Sequence, residues 1–197
     1  MLRLLTFALA SLSFAALLGQ FYGLWPMQTF ALYAMLPGTL ALTALGVRYR
    51  NQPRGLDNPS TWFFEGALAG VLAAAVYDLY RLPFVLTGAP LFKVFPRFGQ
   101  LLLGADEPTW LVHALGWSYH FLNGAALGVM FLTMVRSPRQ LFWGAVIWGL
   151  VVEGLLLATP YAAFFQLHVN ARFLFLTASA HLVFGLALGA WLQRRLG

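Results

Sequence analysis

Two stretches of the chain carry the same chemistry-bearing residue with the same small-residue tail. "SYHFLNGAALG" covers residues 118–128 and "SAHLVFGLALG" covers residues 179–189, and in each a histidine is followed by glycine four and eight positions later. Imidazole is the side chain whose charge changes near neutral pH, and it ligates metals and haem iron. His120 and His181 therefore point to proton transfer, ligand binding or metal ligation, and Glu153 in a third apolar stretch supplies an acid to work with them. His113, seven residues before His120, shares its helical face together with Trp117 and Gly124. A second tier of polar residues in apolar surroundings comprises Glu65, Asp78 and Arg81, the last two at the spacing of a helical ion pair.

Such groups need a scaffold, and the composition says which kind. Of 197 residues 60% are hydrophobic and 9% charged, far from the roughly 25% charged residues of a soluble domain. This chain cannot cover a water-facing surface, so its solvent is lipid, and membrane lipids are its first partners. The net charge of +6 comes from basic residues scattered between apolar runs. That pattern sets membrane orientation and excludes nucleic acid as a partner. Cysteine is absent, which removes disulfides, thiolate metal sites and thiol catalysis.

Six runs are long enough to span, near 3–22, 27–47, 61–82, 109–134, 140–165 and 172–193. The first, with Arg3 ahead of an apolar core, has the outline of a signal peptide but no clear small-x-small cleavage site. It is read as a retained first helix. The fold class is thus all-α, a single polytopic bundle of six transmembrane helices. With Arg3, Arg48, Arg50, Arg54, Arg136, Arg139, Arg194 and Arg195 at one side, and only Arg81, Lys93, Arg97 and Arg172 toward the other, both termini are expected in the cytoplasm.

Residues 83–108 break the pattern. Pro83, Pro90, Pro96 and Pro108 interrupt this apolar stretch, so it is not one spanning helix. Phe92, Phe95 and Phe98 alternate with Lys93 and Arg97, which suits an outer interfacial segment with both cations among lipid headgroups. The alternative is a lid over a cavity.

Helical rise places His120 roughly 16 Å and His181 roughly 14 Å below the outer ends of their spans, and Glu153 roughly 20 Å above the inner end of its own. All three come out near the midplane, with His113, Asp78 and Arg81 nearer the outer surface. An ionisable group at that depth costs roughly 2.5–3.5 kcal/mol on insertion scales and turns inward. The glycines at spacing four let neighbouring helices approach closely. The expectation is one shared site of His120, Glu153 and His181, with the glycines packing the helices that enclose it.

Three functions fit. In the first, a non-enzymatic structural or accessory membrane subunit uses the cluster to fix helix register, alone, as a homo-oligomer or with other membrane subunits. In the second, a small transporter or proton- or ion-handling protein uses His120, Glu153 and His181. In the third, a b-type electron carrier holds haem between the two histidines, although no attachment motif is present. A His/His/Glu metal shell is a further variant. No hydrolase, kinase, Rossmann or P-loop signature appears, and Ser118 is two residues from His120, on a different side of the helix. No catalytic residue is assigned.

The second half of the chain resembles the YagU-like family of uncharacterised bacterial inner-membrane proteins. The features that carry it are His113 and His120, "FWGAVIWG" opening the fifth span, Pro160 near its end, and "HLV" at His181 with Arg194 and Arg195 after it. The resemblance implies a bacterial inner-membrane location.

Overall fold

The computed structural model describes residues 1–197, all helix and connection with no strand. Helices are α1 (Leu2–Phe21), α2 (Met27–Arg48), α3 (Pro59–Leu86), α4 (Val94–Leu103), α5 (Trp110–Met134), α6 (Leu141–Leu157) and α7 (Ala171–Leu196). Local chemistry fixes the ends. Asn58, Thr109 and Asn170 cap α3, α5 and α7 by accepting from the backbone amides of Ser60, Val112 and Phe173. In α2 the segment Ala31–Met35 widens to a π-turn just before Pro37, whose ring nitrogen has no hydrogen to donate to the helix.

Five helices are long and apolar enough to cross a membrane: α1, α2, α3, α6 with its leading turn (Pro138–Leu157), and α7. The exception is α5, which carries His113, Ser118, His120 and Asn123. Its place in the bundle accounts for His120 and Asn123, because α1, α3 and α4 all pack against it, whereas His113 and Ser118 are exposed. A helix face so covered tolerates polar groups that an outer face would not.

Two of the expected boundaries move. The third span runs through Pro83 to Leu86 and does not stop at residue 82. The fifth ends at Leu157 and not at residue 165; a single helical turn, Tyr161–Phe164, follows Pro160.

The segment after α3 also differs from a surface anchor. Helix α4 packs along α5 so closely that a Cβ on Gly116 would come within 1.9 Å of the Phe95 carbonyl oxygen. Val94, Phe95, Phe98 and Gly99 are buried, while Lys93 and Arg97 point outward. The aromatic rings therefore pack onto the bundle, while Lys93 and Arg97 are exposed, Arg97 donating to Gln100 Oε1.

Both termini lie at the end of the bundle opposite α4. There Arg3 donates to the carbonyl oxygens of Thr133, Val135 and Leu56 and pairs with Asp57 at 2.7 Å. Glu65 accepts from Arg195 at 3.0 Å and lies 3.9 Å from Arg54. An apolar core of Trp62, Phe131, Leu132, Leu141, Leu188 and Leu192 fills this end, and a second, of Ala16, Met27, Phe95, Phe98 and Tyr119, fills the α4 end.

Candidate functional site

Two glycine contacts build the polar core. On the first, α3 crosses α5: a Cβ on Gly70 would meet the Gly124 carbonyl oxygen at 2.0 Å, and one on Gly124 would meet the Ala74 side chain at 2.8 Å. One turn beyond Ala74 toward the α4 end stands Asp78, and one turn beyond Gly124 in the same direction stands His120. Backbones this close bring the two side chains into contact, with His120 Nε2 2.9 Å from Asp78 Oδ2. On the second, α6 crosses α7: a Cβ on Gly149 would lie 2.4 Å from the His181 carbonyl oxygen and 3.2 Å from Gly185. One turn beyond Gly149 stands Glu153, and one turn beyond Gly185 stands His181, with Nδ1 2.8 Å from Glu153 Oε2.

The two acid–histidine pairs meet around Tyr77. Its ring centroid is 6.2 Å from that of His120 and 5.1 Å from that of His181. Sequence reasoning had expected His120, Glu153 and His181 as one site. The structure instead gives each histidine its own carboxylate, and Asp78 with Arg81 belongs to this core and not to the helix end. His113 is exposed and takes no part, and Glu65 serves the ion pairs at the terminal end.

The pairs differ in how well they are satisfied. Asp78 accepts from Arg81 on one oxygen and from His120 on the other. The Arg81 guanidinium, 5% exposed as a residue, lies 4.0 Å from the Tyr77 ring centroid, with Phe92 at 5.0 Å and Phe95 at 5.5 Å. Cation–π attraction in a desolvated cage contributes on the order of 2 kcal/mol. Phe92 and Phe95 come from the segment read as an interfacial anchor with a lid as the alternative, and nothing in the sequence marked Arg81 as what they cover.

Glu153 is less well served. It is 4% exposed, yet neither carboxylate oxygen receives a well-directed hydrogen bond. The short approach of His181 Nδ1 is real, but the same nitrogen lies 3.0 Å from the Thr177 carbonyl oxygen. One ring N–H cannot point at both, and its direction favours the carbonyl. Arg81 Nε is likewise buried without an acceptor. Both orphaned groups line one cavity of about 40 Å³, together with Tyr77, Tyr161, Thr177 and His181. At roughly 10–15 Å³ of such volume per water, that is room for about two to four molecules. Burial, and after it the neighbouring Tyr77, push the Tyr161 phenol above its ordinary range, so it stays a hydroxyl donor.

The same geometry bears on metal and haem. No three His, Asp or Glu side chains converge as a metal shell would require. A porphyrin between the imidazoles would have to displace Tyr77, and Phe95 lies against the His120 ring with centroids 4.5 Å apart. The residues present do not fit haem.

No protein-family model, curated protein or solved structure matches this chain.

Proposed function

We propose that the chain is a six-span membrane protein with both termini in the cytoplasm, and that its Glu153–His181 pair takes up and releases a proton. Helix α5 is the sixth span, long enough at 25 residues and shielded on several sides. The orientation draws support from eight arginines at the terminal end, and the YagU-like resemblance of the second half is in keeping with a bacterial inner membrane.

One observation carries the proton reading. A buried carboxylate without a directed donor faces a water-sized cavity, beside a histidine and a guanidinium N–H that also lacks a partner. Leaving such groups unpaired costs roughly 1–3 kcal/mol each, more when charged, and water in the cavity satisfies both while giving a proton somewhere to go. Protein reconstituted in vesicles with an internal pH dye tests this. The wild-type protein should speed decay of an imposed pH gradient, and Glu153→Gln, which keeps the shape but not the titration, should return the rate to that of empty vesicles. Equal rates for both proteins refute the proposal.

A second reading, a structural or accessory subunit, is favoured by the Asp78–Arg81–His120 group, whose carboxylate is paired on both oxygens and whose guanidinium is caged by aromatic rings. A network of that kind pins two helices in one register.

A further inference from the structure

A second cavity shares no residue with the one beside Glu153. It is an open vestibule of about 510 Å³ at the α4 end, between the α1–α2 turn, the end of α4 and residues 164–166. That size lies in the usual range for a small-molecule site, roughly 300–1,000 Å³. Its polar lining is Gln20, Gln28, Gln100, Gln166, Arg97 and Asp106, four carboxamides and one charge of each sign. Phe164 and Phe165 add aromatic surface.

Gln166 has an unusual backbone. Its φ is 53°, the single positive-φ residue in the chain that is not glycine. It ends the Tyr161–Phe164 turn as a left-handed cap, with the Leu167 amide donating to Ala162 and its own amide to Ala163. Glycine is the residue this geometry favours, so the glutamine is held at a conformational cost. Its carboxamide hydrogen-bonds to nothing in the protein and borders the vestibule. Gln20 and Gln28 each use one end of the amide on the protein, Gln20 Oε1 accepting from the Met27 amide and Gln28 Nε2 donating to Leu103, and each keeps the other end free.

From this we infer that the vestibule binds a small uncharged polyhydroxylated group, of sugar or polyol type. A carboxamide offers a donor and an acceptor side by side, which matches two adjacent hydroxyls, and an aromatic ring packs on the C–H face of a sugar. Arg97, which donates to Gln100 Oε1, and Asp106 leave the lining with no net charge, so it favours neither anions nor cations while still offering bonds to hydroxyls. The same hydroxyl chemistry belongs to free sugars and to glycolipid headgroups.

The experiment uses the full chain in lauryldimethylamine oxide, a detergent without a sugar headgroup. Maltose and sorbitol are titrated by calorimetry, with sodium glutamate and spermidine as charged controls. In parallel, the unfolding midpoint is compared in nanodiscs with and without glucosyl diacylglycerol. Heat from maltose or sorbitol assigns the site to a free solute, and a raised midpoint from the glycolipid alone assigns it to a headgroup; either supports the inference. Gln166→Gly relieves the backbone and deletes the amide, so it should fold at least as well and bind about five- to tenfold more weakly. Three results overturn the inference: no response to any sugar, equal response to the charged controls, or unchanged binding by Gln166→Gly.

Discussion

The two histidine motifs are built alike and finished differently. In each, a small-residue contact between two helices is followed one turn later by an acid on one helix and a histidine on the other: Asp78 with His120 past Ala74 and Gly124, Glu153 with His181 past Gly149 and Gly185. The first acid has a second partner in Arg81, and the second acid has none. One architecture thus serves two ends. A carboxylate accepting from both a guanidinium and an imidazole is fixed, whereas the one left facing a cavity is, on the proton proposal, the one that exchanges what it holds.

Breaking the Asp78 side should have the largest effect. Asp78→Leu strips Arg81 of its only carboxylate and leaves a guanidinium buried under Tyr77, Phe92 and Phe95. Removing one partner of a buried pair costs about 3–5 kcal/mol. Glu153→Leu, by contrast, removes a buried acid that has no directed donor and should lie within about 1 kcal/mol of wild type, or stabilise the protein. Denaturant unfolding of the two variants in one detergent checks the order. If Glu153→Leu costs as much as Asp78→Leu, the distinction between a fixed and an exchangeable pair is lost.

The glycines come next, and here the two motifs should agree. A methyl on Gly124 collides with the Ala74 side chain and the Gly70 carbonyl, and one on Gly185 with Ala145 and Val146. Overpacking of this kind costs typically 1–3 kcal/mol. Gly124→Ala and Gly185→Ala should each lower stability within that range, as read by the unfolding midpoint. By comparison Gly154→Ala, with nothing near the added carbon, should not. A tolerated Gly185→Ala would separate the motifs at the level of packing as well as charge.

These cases also mark what the chain reveals before it folds. Glycines at spacing four announced close helix contacts, since few other uses of such a repeat exist in an apolar run, and both contacts are present. The depth of His120 was legible from helical rise, but its partner was not. Stopping the third span at residue 82 put Asp78 near the surface, whereas the helix runs through Pro83 to Leu86 and leaves Asp78 eight residues, about 12 Å, below its end. Four residues of misplaced terminus were enough to pair His120 with the wrong acid. The fold of residues 83–108 was illegible for a different reason. Alternating phenylalanines and cations look the same whether the rings meet lipid or Arg81, and only tertiary packing decides.

Coupling energies give the smallest and most discriminating test. Two substitutions that share an interaction depart from additivity by 0.5–3 kcal/mol, while independent sites add within about 0.3–0.5 kcal/mol. His120→Leu combined with Asp78→Leu should show coupling in the upper part of that range, because each alone strands the other. His181→Leu combined with Glu153→Leu should show weaker coupling, since the His181 Nδ1–H is directed at the Thr177 carbonyl and not at the acid. His120→Leu combined with Glu153→Leu should be additive, as the two belong to different pairs with Tyr77 between the histidines. Exposed His113 serves as the baseline, and its change to Ala should stay within about 0.5 kcal/mol. Strong coupling between His120 and Glu153 would restore the single three-residue site, and with it a proton path running through both motifs.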